Sequence, residues 1–403
     1  MHEKLSAKEA AALLGVSLAS LYSYVSRGLL RSYEVTGQRQ HFYARDQVLH
    51  LAARRRDARH GGYRAESAIH WSAPLLETTI SQIERGQLFY RGHDAIRLSD
   101  TLTIEEVAFL LWNCDQEDLD LDRGVRVSAA MATVLGALPS STEAWRRLMT
   151  LMPLIAMRTE AKSATTLTPK GQHICLLRLM SAVVLNTAYS RRPIHLQIAK
   201  AWKVKPKEQS LIRMILVLLA EHELNASSFV VRCVASTGAS CVDAITAGLG
   251  ALSGPRHGGG SAAVRELLLS IEQSPRLQDK KIAEFMSKNV DLLGFGHPLY
   301  ADGDPRARKL FEALAEISQT KERLHQGLEV IGKIATQCGH QPNLDAALAL
   351  TVWSLNWPSE AAAILFMLGR SVGWIAHFLE QSQTDAMIRP RSRYVGNYLD
   401  NVK

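Results

Sequence analysis

Apolar residues in this chain recur mostly at spacings of three and four, and the pattern changes character after residue 64. Beyond residue 100, periodic stretches of ordinary helix length are separated by Gly or Pro. The clearest predicted helices are 104–112, 142–155, 172–186, 208–219, 242–252, 262–271 and 361–379. No βαβ alternation and no repeat of fixed period interrupts them. The pattern predicts an all-α body.

One stretch of the body departs from the helical period. Residues 77–92 alternate apolar and polar positions on either side of Gly86, which predicts a short β-hairpin at the entrance to the body. No apolar run approaches the roughly 18 residues that a membrane helix needs, and the start lacks an apolar signal core. We therefore expect a cytoplasmic protein that does not contact a membrane.

The N-terminal segment has the pattern of a helix-turn-helix. Ser6 and Glu9 have capping-box spacing, and the apolar stripe that follows predicts a first helix. Gly15 makes a tight turn, and Ser17 is the next N-cap. A second helix over 18–26 is thus the candidate recognition helix.

A predicted wing and a concentration of positive charge follow these two helices. Residues 31–35 and 39–43 are predicted to pair as a hairpin, and Asp46 to cap a further helix. Residues 1–64 contain eleven Lys and Arg against five Asp and Glu, so they hold +6 of the chain's formal charge of +8. Such a basic segment indicates a polyanionic partner. Residues 60–64 are a plausible hinge.

Residues 4–56 resemble the winged helix-turn-helix heads of the MerR and excisionase-like families. The resemblance implies a separate domain at 1–60 with DNA as a candidate partner. The long helix that dimerises such regulators is missing after it. The alternative is a small docking or folding domain that never touches DNA.

A long loop at 294–307 is the most unusual break in the helical body. It concentrates glycines and prolines with His297, Arg306 and two aspartates, and it cannot be a regular helix or a central strand. A loop that places several polar groups is typical of binding or catalysis. A surface connection rich in turn residues is the alternative.

Four further polar residues interrupt apolar helices or follow them. His222 closes one helix, and His257 lies in a glycine-rich loop ahead of another, whose positive N-terminus favours a neutral imidazole. Asp345 begins an apolar helix, and Arg370 lies inside one. His222 as a structural histidine and Asp345 as an N-cap are the alternatives. The five scattered cysteines form no C-x-x-C pair, and no zinc site is indicated.

Taken together, these residues suit chemistry on an anionic carbonyl substrate, with a carboxylate base, histidines at oxygen and arginines for carboxylates. Residues 66–403 then resemble the citrate synthases, in the family's order and spacing. The matching motifs are ETTIS at 77–81, YRG at 90–92, EHELNAS at 221–227, GPRHGG at 254–259, GFGHPLY at 294–300, DPR at 304–306, PNLD at 342–345 and RPR at 389–391.

The resemblance implies a nearly all-α homodimer whose subunits have a large domain, 66–252 with 353–403, and a small domain, 253–352. It implies condensation of acetyl-CoA with oxaloacetate to give citrate and CoA, a reaction of the tricarboxylic acid cycle. Acetyl-CoA is then a cosubstrate, with no metal or permanently bound cofactor. Two alternatives are a 2-methylcitrate synthase that uses propionyl-CoA, and a DNA-binding regulator whose body senses oxaloacetate or acyl-CoA.

The resemblance also implies a role for each matching residue. Asp345 would take a proton from the acetyl-CoA methyl, His257 would bind the thioester oxygen, and His297 would protonate the oxaloacetate carbonyl. Oxaloacetate would be held by His222, Arg306, Arg370 and, from the partner subunit, Arg389. The CoA adenine would contact the backbone of Gly294, Phe295 and Gly296.

The chain departs from the family's commonest pattern at two places. Pro298 and Ala301 stand in a loop where many relatives have Arg or Lys near the CoA phosphates. Arg256 and Gly260 flank His257 where a leucine and an alanine are usual. CoA affinity and acyl preference are therefore left open by the sequence.

Overall fold

The structure, a computed structural model, describes residues 4–26, 30, 32–34, 41–44, 48, 76–114, 126–159, 169–288, 293–317 and 321–391. The chain divides into two compact units, Met1–Glu77 and Thr78–Lys403. The predicted hinge at 60–64 and, apart from the helical residue Val48, the predicted helix after Asp46 lie outside the described residues.

The first unit has the predicted helix-turn-helix. Its described elements are β1 Lys4–Ser6, α1 Ala7–Leu14, α2 Leu18–Ser26, β2 Ser32–Glu34 and β3 His41–Ala44. The capping box is confirmed, because the Glu9 N–H donates to Ser6 Oγ at 3.4 Å and the Ser6 N–H donates to Glu9 Oε2 at 2.8 Å. Gly15 ends α1 with a φ of 62°. The bounds of α2 agree with the prediction.

The wing strands pair as predicted, and a strand that was not predicted joins them. The antiparallel sheet has the order β1-β3-β2. β1 has only three residues, too few for an alternating pattern, and its Leu5 lies opposite Tyr43. The unit has its own small core, formed by Leu5, Ala10, Ala11, Leu14, Leu21, Leu30, Tyr43 and Val48.

The second unit is mostly helical, as predicted. A small antiparallel sheet, β4 Ser81–Glu84, β5 Gln87–Tyr90 and β6 His93–Asp94, precedes the helices. The described helices are α3 Ala95–Thr101, α4 Ile104–Trp112, α5 Ala129–Ala137, α6 Ala144–Thr159, α7 Pro169–Val184, α8 Ile194–Trp202, α9 Pro206–Leu219, α10 Ala226–Ala235, α11 Cys241–Leu252, α12 Pro255–Gly258, α13 Gly260–Gln273, α14 Gln278–Lys288, α15 Pro305–Ile317, α16 Lys321–Cys338, α17 Leu344–Ser354 and α18 Ala361–Gln381.

The predicted hairpin and all seven predicted helices are present, with ends shifted by a few residues. The hairpin turns at Arg85 and Gly86, whose φ values of 51° and 73° suit a tight two-residue turn. The two-residue strand β6 was not predicted.

Helix α18 is the central helix of the body and packs against α4, α9, α10 and α11. Among the described residues it is the one helix long and apolar enough to cross a membrane by length and composition. The prediction that no segment has this length was therefore wrong. Because 72% of its most apolar window is buried inside the protein, α18 has the character of a core helix. Around it, α13 packs along α17 and α15 packs on α17, which brings the predicted site segments together.

Candidate active site

The described loop ahead of α15, residues 293–304, is folded onto the start of α17. Gly294 and Gly296 have φ values of 94° and 71°, which residues other than glycine rarely adopt. The Gly296 N–H donates to the Gln341 carbonyl at 2.7 Å, and the Asn343 N–H donates to the Gly294 carbonyl at 3.0 Å. The glycines thus allow the loop to lie directly beside the N-terminus of α17.

Arg306 is held at the start of α15 by a two-pronged ion pair with Asp304. Arg306 Nε donates to Asp304 Oδ1 at 2.9 Å and Nη2 donates to Oδ2 at 2.7 Å. Both residues are buried, at 5% and 3% exposure. Burial alone would lower the pKa of Arg306, but the Asp304 carboxylate outweighs it and holds that pKa above its usual value. Arg306 is therefore a permanent, fixed positive charge.

His222, His297 and Tyr300 form an aromatic cluster next to Arg306. The rings of His222 and His297 meet edge to face with centroids 4.8 Å apart. His222 Nε2 and the Tyr300 hydroxyl are 2.9 Å apart. The Arg306 guanidinium lies 5.6 Å from the centroid of the Tyr300 ring. The structure thus brings together two predicted site histidines and a tyrosine to which the sequence assigned no role.

Both histidines of this cluster are kept neutral. Burial, and then the charge of Arg306, lowers the pKa of His297 to about 4 and that of His222 well below its usual value. His297 Nδ1 accepts the Leu299 N–H at 3.2 Å. The single proton of the neutral ring therefore lies on Nε2, so His297 offers an Nε2–H donor.

His257 lies in the short helix α12 and contacts α10. Its Nε2 is 2.8 Å from Ser227 Oγ, and the indole N–H of Trp374 donates to the same oxygen at 3.1 Å. Burial, and then Arg370, lowers the pKa of His257 to about 4. The neutral imidazole that the sequence predicted is present, but its largest cause is burial rather than the helix N-terminus.

Asp345 does not cap α17, so that alternative for its role was wrong. The N-cap is Asn343, whose Oδ1 accepts the Asp345 N–H at 2.9 Å. The Asp345 carboxylate instead contacts α13, where its Oδ1 accepts a hydrogen bond from the Ser261 hydroxyl at 2.6 Å. Burial raises the pKa of Asp345, which strengthens it as a proton acceptor.

Arg370 is a second buried guanidinium, on α18. It is 2% exposed, and its Nε donates to the Leu219 carbonyl at the end of α9 at 2.9 Å. Burial lowers the pKa of Arg370, Glu221 opposes the shift, and the positive charge of Arg306 adds to it. Two guanidiniums that repel one another in a buried site favour a ligand with two negative charges.

Arg389 is exposed, in the segment that follows α18. The contacts that hold the other site residues do not include it. Its predicted route into the site is from a partner subunit, and this stays a prediction.

Sequence reasoning missed four groups that the structure places around the predicted residues. Asp304, Tyr300 and Ser227 lie inside matching motifs without an assigned role, and Ser261 follows the motif at 254–259 by two positions. Tyr300, Ser227 and Ser261 gave no signal of their own, because each contacts a residue 30 to 84 positions away, whereas Asp304 pairs with Arg306 two positions along the chain.

A fully buried pair lies behind the site. Glu221 Oε1 accepts from the Ser81 hydroxyl at 3.3 Å and lies 3.1 Å from His377 Nε2. Burial lowers the pKa of Arg370, and the Glu221 carboxylate opposes this lowering. The pair anchors β4, α18 and the segment that carries His222 to one another.

The site can accept a proton at Asp345, donate hydrogen bonds from neutral histidines and hold an anion between two guanidiniums. Within the described ranges, no three His, Cys, Asp or Glu residues are arranged to hold a metal ion. The donor set is therefore suited to proton transfer beside a carbonyl group.

Comparison with known proteins agrees with this chemistry. Residues 70–391 match the family domain described as citrate synthase, C-terminal domain, and residues 5–56 match a helix-turn-helix domain. The citrate synthase of Mycolicibacterium smegmatis is 30% identical over 353 residues, which cover 79% of this chain and 92% of that protein. 2-Methylcitrate synthase 1 of Corynebacterium glutamicum is 27% identical over 368 residues, with coverage of 79% and 92%.

Solved structures show the same fold. The citrate synthase of Thermotoga maritima has a TM-score of 0.64 at 25% identity and covers 82% of this chain and 95% of its own. That of Thermoplasma acidophilum, solved with carboxymethyl coenzyme A and oxaloacetate, has a TM-score of 0.68 at 22% identity, with coverage of 83% and 97%. The chain therefore belongs to the citrate synthase family, as an acyltransferase of the citrate synthase type with a helix-turn-helix domain ahead of it.

Proposed function

We propose that this chain condenses acetyl-CoA with oxaloacetate to give citrate and CoA. The observation that carries the proposal is the site itself, in which a buried carboxylate lies with neutral histidines and two buried guanidiniums. Relatives named citrate synthase and 2-methylcitrate synthase align over most of the body. The regulator alternative, in which the body only senses its ligands, is not favoured, because the groups for catalysis are all present.

The first step is proton removal from the acyl-CoA methyl by Asp345. His257 stabilises the enol oxygen that develops on the thioester, and its Nε2 is already engaged by Ser227. The free nitrogen is Nδ1, and it can donate only in the tautomer in which the Ser227 hydroxyl donates to Nε2. The single Ser227 hydroxyl proton is donated to Asn225 Oδ1 at 2.7 Å, so it must switch to His257 Nε2 before Nδ1 can donate to the enol oxygen.

In the second step the enol carbon attacks the oxaloacetate carbonyl carbon. His297 donates its Nε2 proton to the carbonyl oxygen as the carbon–carbon bond forms. Water then cleaves the thioester, which releases the CoA thiol and the new carboxylate. The two carboxylates of oxaloacetate are held by Arg306, Arg370 and His222, with Arg389 added from the partner subunit.

The site residues come from both predicted domains. His222 and Arg370 belong to the large domain, 66–252 with 353–403, while His257, His297, Arg306 and Asp345 belong to the small domain, 253–352. Closure of the small domain would complete the site and exclude water before hydrolysis. The backbone of Gly294, Phe295 and Gly296 would then contact the CoA adenine. Acyl-CoA is a cosubstrate, and the family chemistry uses no permanently bound cofactor.

Release of the CoA thiol tests the proposal. The full chain is mixed with oxaloacetate and either acetyl-CoA or propionyl-CoA, and thiol release is followed with a colorimetric reagent. We expect oxaloacetate-dependent release with acetyl-CoA. A folded chain that releases thiol with neither acyl-CoA contradicts the proposal. Faster turnover with propionyl-CoA favours 2-methylcitrate synthesis. This alternative remains to be tested because the extra methylene of propionyl-CoA changes substrate discrimination by only about 1–3 kcal/mol.

We infer further that the chain works as a cytoplasmic homodimer at the citrate-forming step of the tricarboxylic acid cycle. Arg389 belongs to a matching motif, yet it is exposed and is not among the described contacts of its own subunit's site. This supports a dimer in which Arg389 reaches the partner's site. Light scattering after size exclusion tests it. A monomer that turns over at the full rate excludes a contribution of Arg389 from a partner.

DNA binding by the first unit is a second candidate function. It is supported by the capped α1, the tight turn at Gly15 and the exposed Tyr22 on α2 (51% exposed). Fluorescence anisotropy of the full chain with duplex DNA tests it at about 50 and 200 mM salt. We expect salt-dependent binding that Tyr22→Ala weakens and the exposed body variant Met157→Ala does not. No binding at low salt leaves docking or stabilisation as the head's role.

A further inference from the structure

The Asp345 carboxylate lies against the N-terminus of a helix other than its own. The Ser261 hydroxyl donates to Asp345 Oδ1 at 2.6 Å, and the Ser261 backbone N–H is a second donor to the same carboxylate. Ser261 is the second residue of α13 and is 4% exposed. The unsatisfied N–H groups and positive end of a helix both favour a carboxylate at this point.

Gly260, the first residue of α13, permits this approach. A Cβ added at Gly260 would lie 2.9 Å from both Cγ and Oδ2 of Asp345. Carbon atoms in contact are normally separated by about 3.5–4.0 Å, so the alanine that is usual at this position in the family requires the Asp345 carboxylate to lie slightly farther from α13 than it does here. The neighbouring glycines differ, because a Cβ at Gly258 or Gly259 would meet backbone carbonyls of α11 and α12. Gly260 alone of the three faces the reacting group.

We propose that Gly260 and Ser261 form a seat that positions the Asp345 carboxylate for proton removal from the acyl-CoA methyl. This inference rests on the proposed function. The Ser261 hydroxyl holds Oδ1 by a hydrogen bond. Because Gly260 has no side chain, α17 can lie close to α13 at this point. Gly260 and Ser261 are positioning residues, since they act on the reaction through Asp345.

The pH profile of Ser261→Ala is the first test. Both Ser261 donors stabilise the carboxylate, so loss of the hydroxyl raises the pKa of Asp345 and moves the acid limb of kcat/KM to higher pH. We expect a shift of about one pH unit, as the loss of one hydrogen bond to a charged group implies, with the KM for oxaloacetate unchanged. Ser261→Thr keeps the hydroxyl and should restore the wild-type limb. Ser270→Ala, on the same helix, is the matched control.

The turnover of Gly260→Ala is the second test. Displacement of a reacting group by about 1 Å costs on the order of 100-fold in rate, and the shift that a Cβ at Gly260 requires is smaller, so we expect kcat to fall by less than about 10-fold. Oxaloacetate binding, measured by calorimetry, should not change. Gly332→Ala is the control, because a Cβ at this helical glycine meets nothing within 4 Å. Wild-type turnover in Gly260→Ala would overturn the steric part of the seat.

A carboxyl NMR titration separates failure of the seat from failure of the proposed function. Full-length protein labelled at aspartate carboxyl carbons is titrated, and Asp345→Asn identifies the Asp345 signal. A wild type without thiol release, in which Ser261→Ala still raises the Asp345 titration midpoint, refutes the function and keeps the seat. An active wild type whose Asp345 midpoint and acid limb are both unchanged in Ser261→Ala overturns the seat.

Discussion

The polar groups of the body's site and those of the helix-turn-helix unit are held in opposite ways. In the site, Asp304, Arg306 and Arg370 are between 2% and 5% exposed. Asp304 holds Arg306 and accepts the Leu344 N–H, and Arg370 donates to Leu219, so other elements fix this group. In the head, the described polar contacts, Ser6 with Glu9 and Ser17 with Ser20, join residues three apart at the surface. The first arrangement depends on the whole fold, and the second on one turn of helix.

This difference in how polar groups are held indicates which residues serve the chemistry of the site. A buried ion pair contributes little net stability, because desolvation of its charges offsets their attraction. Two buried guanidiniums with a like-charge interaction are therefore explained by a ligand, not by stability. A surface capping box, by contrast, stabilises its helix locally and is fully explained by that. Substitutions in the site should thus change activity strongly, and substitutions of the head's capping residues should change only local stability.

Loss of the base should have the largest effect. In Asp345→Ala we expect kcat to fall by about 1,000-fold, within the range that general-base groups contribute. Oxaloacetate affinity should stay within a few-fold of the wild type, because Asp345 acts on the other substrate. Thiol release and calorimetric titration with oxaloacetate measure the two quantities.

The control for Asp345→Ala is Asp279→Ala, which removes a carboxylate that is 83% exposed and should leave turnover unchanged. Equal losses of turnover and oxaloacetate affinity in Asp345→Ala would mean that Asp345 supports the site's structure. The distinction between buried groups that serve chemistry and local caps that serve stability would then not hold for Asp345.

Removal of the partner of Arg306 should have the next largest effect. Asp304→Ala leaves a buried guanidinium unpaired and removes an acceptor of the Leu344 N–H at 3.2 Å, so we expect the body to lose about 3–5 kcal/mol of stability. Denaturant unfolding measures it. Asp100→Ala, which breaks the exposed ion pair with Lys309, should lose less than about 1 kcal/mol.

The pH dependence of this difference has a definite sign. Burial raises the pKa of Asp304, but Arg306 outweighs it and holds that pKa below its usual value. The stabilisation is then complete above the unfolded-state pKa of about 4, and it is lost as the pH falls through the lower folded-state value. A loss of stability in Asp304→Ala that is as large at acid pH as at pH 7 would contradict the ion pair as its cause.

The described elements of the head could be predicted from sequence with one exception. A Ser-x-x-Glu spacing, a glycine at positive φ and a short apolar stripe are local signals, and the bounds of α2 and the N-cap of α1 agree with them. The missed strand β1 is the exception. It is too short to show an alternating pattern and exists because β3 is available as its partner.

The body's site could be predicted only in part. Motif residues and helical periods identified Asp345, His257, His297 and Arg306, but not how they are held. The Ser261 bond to Asp345 and the Ser227 contact with His257 join residues that are 84 and 30 positions apart. Such pairs arise when helices pack, so no local pattern records them. The N-cap of α17 is a different case, because Asn343 and Asp345 lie two positions apart and both residue types suit an N-cap, so the local pattern did not choose between them.

A smaller effect is expected from the neutral histidines. Burial lowers the pKa of His297 to about 4, whereas an unfolded histidine titrates near 6.5, so the unfolded state binds more protons between these values. The contribution of His297 to stability is full above about pH 6.5 and is lost as the pH falls toward 4. In His297→Gln the loss of stability between pH 7 and 5 should therefore shrink, by on the order of 1–2 kcal/mol.

Denaturant unfolding at each pH measures this loss, and His325→Gln, on the helix α16, is the control. An unchanged loss in His297→Gln would mean that His297 is solvated and charged below pH 6.5. It could not then act as the neutral donor that the proposed second step requires.

The smallest effect should come from the capping box of the head. Ser6→Ala removes the acceptor of the Glu9 N–H, and loss of such an N-cap costs about 1 kcal/mol. In the full chain we expect the amides of α1 to exchange about fivefold faster, with thiol release by the body unchanged, because the cap acts within one turn. Lys8→Ala, an exposed residue of the same helix, should leave exchange unaltered. If Ser6→Ala instead slowed turnover, the head would contribute to catalysis, and its polar contacts could no longer be explained by local stability.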